Sequence, residues 1–134
     1  MIQKLFHFKT VQLEQQLVQK RQLLSKVFEI DEQIGKTEHS LSTATVKLFG
    51  SIGDFKVLAI HKNSMKFEIT KLEREKKILQ SKIATLDTII IEFQKELEQY
   101  SYILKQEAKK RLKKEEKNEE MVASEYMQAK WMAS

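Results

Sequence analysis

A seven-residue repeat in the second half of the chain limits what it can fold into. Reading by sevens from Leu58 gives Leu58, Met65, Leu72, Leu79, Leu86, Phe93 and Tyr100, every one apolar or aromatic. A companion row three or four residues away runs Ile69, Lys76, Ile83, Ile90, Leu97 and Leu104. The steps alternate four and three, with mostly Ile on one row and Leu on the other. A strict repeat held this long predicts two or more helices wound left-handedly around one another. A lone amphipathic helix needs no such narrow seam.

The first part of the chain carries a second seam. Phe6, Leu13, Lys20, Val27, Ile34, Leu41 and Leu48 are seven apart, and all but Lys20 are apolar. A patchier row of Leu17, Leu24, Ile30 and Ala44 lies about one turn away. Between the two seams stands "GSIGDF", which holds two of the three glycines of a chain without proline. Gly50 suits the left-handed residue that closes a helix. Ser51 and Asp54 fit the Ser-x-x-acid signal that opens one, and Asp54 alone also suits an N-cap. A connection this short joins antiparallel neighbours.

The predicted fold class is therefore all-α, with two long helices in an antiparallel coiled-coil hairpin forming one domain over residues 1–134. Helix one is placed at about 4–49, the turn at 50–54 and helix two at about 55–130. Folding about residues 51–52 brings Leu48 to the region of Phe55 and Phe6 to that of Leu97. It also brings Lys76 near Val27 and Asp31, so a Lys76–Asp31 ion pair is predicted. Lys20 and Lys76 read as seam residues that set register and reach past the seam to water. Residues 35–46 combine Gly35 with five Ser/Thr residues. Glycine inside a helix costs about 1 kcal/mol relative to alanine, so this is the weak part of helix one.

The second helix is the longer one, and residues 105–134 have no partner in the first. About 30 helical residues extend roughly 45–50 Å. This overhang starts with Lys105, Lys109, Lys110, Arg111, Lys113, Lys114 and Lys117 set against Glu107, Glu115, Glu116, Glu119 and Glu120. It ends with Met121, Val122, Tyr126, Ala129, Trp131 and Met132. Three readings of the charged run stay open: a solvated helix, a protein-binding surface, and a surface for nucleic acid or lipid. Interleaved acids and the absence of aromatic residues count against the last. Tyr126 and Trp131 are residue types that anchor interfaces. Near the turn, Phe49, Phe55, Val57, Ile60 and Phe67 lie off the seam, and two helices cannot bury them all. They read as crowding, self-association or a docking patch.

Chemistry-bearing motifs are scarce. His7, His39 and His61 are far apart and share no ligand spacing, so no metal is expected. No phosphate-binding glycine pattern occurs, no serine has an evident base, and a two-helix hairpin offers little concavity. The reading is non-enzymatic, with no catalytic residue, cofactor or small-molecule ligand. There is no cysteine, which excludes thiol and disulfide chemistry. The formal net charge of +5 is too small to demand nucleic acid as partner. No run has the roughly 20 apolar residues of a membrane span, and the opening lacks a signal-peptide core, so a cytoplasmic protein is expected.

The layout resembles the FliJ family of flagellar type III export and the related stalk proteins of virulence secretion. The points of likeness are the opening "LFHFKTVQLEQQLVQKRQLL", the break at "GSIGDF", the longer second helix, and the terminal "KKRLKKEEKNEEMVASEYMQAKW". The match runs over nearly the whole chain. It implies a coiled coil similar to the two long helices of the rotary ATPase gamma subunit. It also implies a stalk and escort role at the membrane-embedded export apparatus, with a hexameric export ATPase, the cytoplasmic domain of the export gate and export chaperones as partners. Carried over by region, the ATPase-binding set is Phe6, Lys9, Lys109, Lys110, Arg111, Lys113, Lys114, Tyr126 and Trp131. The gate- or chaperone-binding set is Phe55, Leu58, Met65, Phe67 and Ile69. The resemblance implies a monomeric hairpin. The competing readings are a homo-oligomeric structural coiled coil or general adaptor without an ATPase partner, a prefoldin-like holdase and a nucleic-acid-binding rod. The holdase needs a strand-rich platform that no alternating run supplies.

Overall fold

A computed structural model describes residues 1–44 and 52–133. Two helices account for nearly all of them: α1, Ile2–Thr43, and α2, Ile52–Ala133. The protein is an all-α helical hairpin of two long helices packed against each other, and no strand occurs among the described residues.

Burial follows the heptads closely. On α2 the shielded positions step by four and three from Leu58 through Lys62, Met65, Ile69 and Leu72 to Leu104. Met65, Leu72 and Ile90 are the most deeply buried. On α1 the same stepping runs Ile2, Phe6, Lys9, Leu13, Gln16, Lys20, Leu23, Val27, Ile30, Ile34, Thr37, Leu41 and Ala44. The first expected row is thus in place. In the second row Leu23, not Leu24, holds the seam position. Leu24 is exposed, because it falls one residue, about 100°, off the contact line.

Contacts divide the chain into two units, Met1–Leu13 with Glu92–Ser134, and Glu14–Ile91. Both are built from segments of both helices. In the second unit, Lys20 Nζ lies 2.6 Å from Asp87 Oδ1, and Lys76 Nζ lies 2.6 Å from Asp31 Oδ1. Advancing from Lys20 to Asp31 along α1 retreats by the same number of residues from Asp87 to Lys76 along α2, so the helices are antiparallel. The expected Lys76–Asp31 pair is present.

A fold about residues 51–52 sets Lys20 level with Ile83 and Lys76 level with Val27. Each lysine reaches one turn further toward the C-terminus of its partner helix. Side chains tilt toward the N-terminus of their own helix, which in an antiparallel pair is that direction. In the first unit, Lys9 Nζ lies 2.9 Å from Glu96 Oε2 and 4.3 Å from the centre of the Phe93 ring.

The ends of the helices need one correction. α2 starts at Ile52, three residues before the expected Phe55. This places Asp54 inside the first turn, where its carboxylate complements the helix N-terminus, and rules it out as the N-cap. Gly50 and Ser51 lie outside the described residues, as do Leu48 and Phe49. The weak stretch is helical through Thr43. There the hydroxyls of Thr37 and Thr43 donate to the carbonyls of Gln33 and His39 one turn back. This bonding satisfies polar side chains that otherwise compete with the helix.

Candidate interaction site

Beyond the point where α1 begins, α2 continues without burial. Every residue from Glu107 to Ala133 is exposed. Two blocks of charge divide this stretch. Residues 105–114 carry six basic side chains and one acidic, a net +5; residues 115–125 carry five glutamates and one lysine, a net −4. The three ion pairs found among the described residues all lie elsewhere. Lys109, Lys110, Arg111, Lys113 and Lys114 therefore present their charge to solvent on one short length of helix. Tyr126 and Trp131 follow on the same exposed segment, with Trp131 at 81% exposure.

The two N-terminal residues of the proposed ATPase-binding set stand apart from that block. Phe6 is a half-buried seam residue. Lys9 has only 17% of its side chain exposed and spends its charge on Glu96 and the Phe93 ring. Both hold the hairpin together and neither adds to the exposed basic surface. Their place on the four-three stepping was the available signal, since a lysine on a seam faces the partner helix.

The five gate-facing candidates also divide. Met65 is buried at 8% exposure, and Leu58 and Ile69 are half-buried on the seam. Phe55 and Phe67 are exposed, Phe67 at 72%. Val57 and Ile60, both exposed, fall with Phe67 on one outward face of α2. These three large apolar side chains form one solvent-facing stripe.

Concavity is slight. A shallow hollow of about 530 Å³ lies along α2 beside Gln99, Tyr102 and Ile103. Among the described residues no group of three or more His, Asp or Glu side chains is placed to hold a metal ion. No described helix is long and apolar enough to cross a membrane. Comparison with known proteins finds no matching family model, no matching curated protein and no matching solved structure.

Proposed function

We propose that the protein is a non-enzymatic stalk of a type III (flagellar) export apparatus, regulating a hexameric export ATPase and linking it to the export gate and its chaperones. The observation that carries this reading is the exposed helix from Glu107 to Ala133 with its basic block at Lys109–Lys114. A stalk inside a ring needs a stiff helix that projects beyond its own packing. It also needs charge to engage the polar lumen, and no catalytic group. The stripe of Val57, Ile60 and Phe67 supplies a second surface for a gate or chaperone partner.

The test is ATP hydrolysis by the hexameric export ATPase of the source organism, measured with and without the purified protein. Wild type should stimulate turnover. Reversing the charge at Lys109, Lys110, Arg111, Lys113 and Lys114 should abolish stimulation while the helical circular dichroism signal persists. Failure of wild type to stimulate overturns the stalk reading. Stimulation that survives the reversal moves the contact away from the basic block.

A further inference from the structure

The carboxylates of α2 are sorted by helix face. Between Lys56 and Ile91 there are four: Glu68, Glu73, Glu75 and Asp87. Counted in sevens from the seam, all four stand at positions that flank it, and Asp87 there meets Lys20 of α1. The positions facing away from α1 over the same length hold Lys56, Lys71, Arg74 and Lys77, and no carboxylate. All four cations are exposed, and none belongs to an ion pair found among the described residues. The back of α1 differs. Within the same unit, Glu14–Ile91, its outward positions mix Arg21 and Lys36 with Glu14, Glu29 and Glu32. With histidine neutral, the back of α2 is net +4 and the back of α1 net −1.

Large apolar side chains share the cationic face. Ile60, Phe67 and Ile78 are all more than half exposed. Lys56, Ile60, Phe67, Lys71, Arg74 and Ile78 follow one another along this outward face over roughly 33 Å. The spacing separates the possible occupants. A partner helix takes apolar anchors three, four and seven residues apart, close enough to interdigitate. Here Phe67 follows Ile60 by seven residues and Ile78 follows Phe67 by eleven, with Asn63, Ser64 and Thr70 on the face between them. Nucleic acid answers the cations but gives Ile60 and Ile78 nothing apolar to contact. A bilayer surface makes no demand on spacing. It accepts isolated apolar side chains among its headgroups, while lysine and arginine stems reach to the phosphates.

We propose that the back of α2, from Lys56 to Ile78, lies on an anionic lipid surface. Ile60, Phe67 and Ile78 enter the headgroup layer, and Lys56, Lys71, Arg74 and Lys77 meet lipid phosphates. The back of α1, with its three glutamates, faces away from the surface. This goes beyond the stalk reading and does not rest on it. It gives Ile60 and Phe67 a second occupant, so lipid and a gate or chaperone partner exclude one another there.

The test uses the full chain and vesicles that can be sedimented. They are made of phosphatidylcholine alone or with about 40% phosphatidylglycerol, in about 100 mM salt. The anionic vesicles should bind the protein and the neutral ones should not. Each Lys or Arg near such a surface strengthens binding about fivefold, so Lys71→Glu/Arg74→Glu/Lys77→Glu should weaken it more than about 100-fold. Phe67→Ser/Ile78→Ser should weaken it about tenfold or more, with the helical circular dichroism signal unchanged. Lys110→Glu/Arg111→Glu/Lys114→Glu, in the block whose charge the following glutamates largely cancel, should alter it less than about threefold.

Orientation is read from an environment-sensitive fluorophore on single cysteines, in a chain that has none of its own. Its emission should shift to the blue on anionic vesicles when attached at Phe67→Cys, and stay unchanged at Ser25→Cys on the back of α1. No binding to anionic vesicles overturns the proposal, as does equal binding to neutral ones. So does binding that survives reversal at 71–77, or an equal shift at both labels. Retention of duplex DNA by a protein that leaves anionic vesicles untouched overturns it in favour of nucleic acid. No ATPase enters the measurement, so its outcome is independent of the stalk test.

Discussion

Replacing Lys76 with isoleucine should stabilise the protein. Lys76 interrupts a row that otherwise runs Ile69, Ile83, Ile90, Leu97 and Leu104. Its side chain is 31% exposed, so about two-thirds of an isoleucine placed there leaves water. Full burial of such a side chain contributes about 1.5–3 kcal/mol, which scales here to roughly 1–2 kcal/mol. The lysine stem already shields some apolar area, so the gain sits at the low end of that range.

Against it stands the ion pair with Asp31. The Asp31 side chain is 47% exposed, and a pair so solvated is worth about 0.2–1 kcal/mol. Losing the lysine strands no buried charge, since Asp31 stays in water. The balance favours Lys76→Ile by up to about 0.8 kcal/mol, a rise in Tm of up to about 4 °C for a chain of this length. Thermal unfolding followed by circular dichroism measures it. Asp31→Asn and the double variant complete the cycle, with an expected coupling below about 1 kcal/mol. A Lys76→Ile variant that melts below wild type refutes the reasoning, because the ion pair then outweighs the burial of a seam isoleucine.

Two further substitutions probe the helices themselves. Gly35 is helical, has no neighbour within 4 Å of where a Cβ would stand, and has no positive φ, so Gly35→Ala should raise stability by about 1 kcal/mol in a urea titration. Leu72 is the most buried of the described residues, at 5% exposure, and Leu72→Ala should cost about 2–4 kcal/mol by the same measurement, with Leu72→Met costing under about 1.5 kcal/mol.

The hairpin was legible because α2 writes its seam in Ile and Leu. From Leu58 to Leu104 both rows visible in the sequence are shielded, joined by Lys62 on the seam and by Asp87, Ile89, Glu96 and Ser101 beside it. α1 was harder to read because its second row holds Lys9, Gln16 and Thr37 among Leu23, Ile30 and Ala44. A row so polar gives no hydrophobic cue, and the adjacent leucines at 23 and 24 invite a slip of one residue. The stepping from Phe6 and Leu13 resolves it, because only Leu23 keeps the four-three order. Surface candidates near Phe55 were only half legible. Met65 and Ile69 share their apolar character with Phe67, and it is helix phase that sends Phe67 outward and Met65 inward.

The unequal seams bear on partner choice. A row of Ile and Leu as regular as that of α2 is suited to pairing with a second copy of itself. What directs it to α1 is the placement of charge. Lys9 and Lys20 on α1 meet Glu96 and Asp87 on α2, and Lys76 on α2 meets Asp31 on α1. Pairing α2 with another α2 removes all three meetings, leaving Lys76 on the seam without Asp31, and Glu96 and Asp87 without Lys9 and Lys20. Each pair is modest in energy, since at least one member of each is well exposed, but the three act together to set orientation and partner. α1 thus specifies α2 as far as about Leu104 and no further. The alternating blocks beyond that point carry no such intrachain pairing, and they are ordered by sign as sharply as the seam is ordered by hydrophobicity.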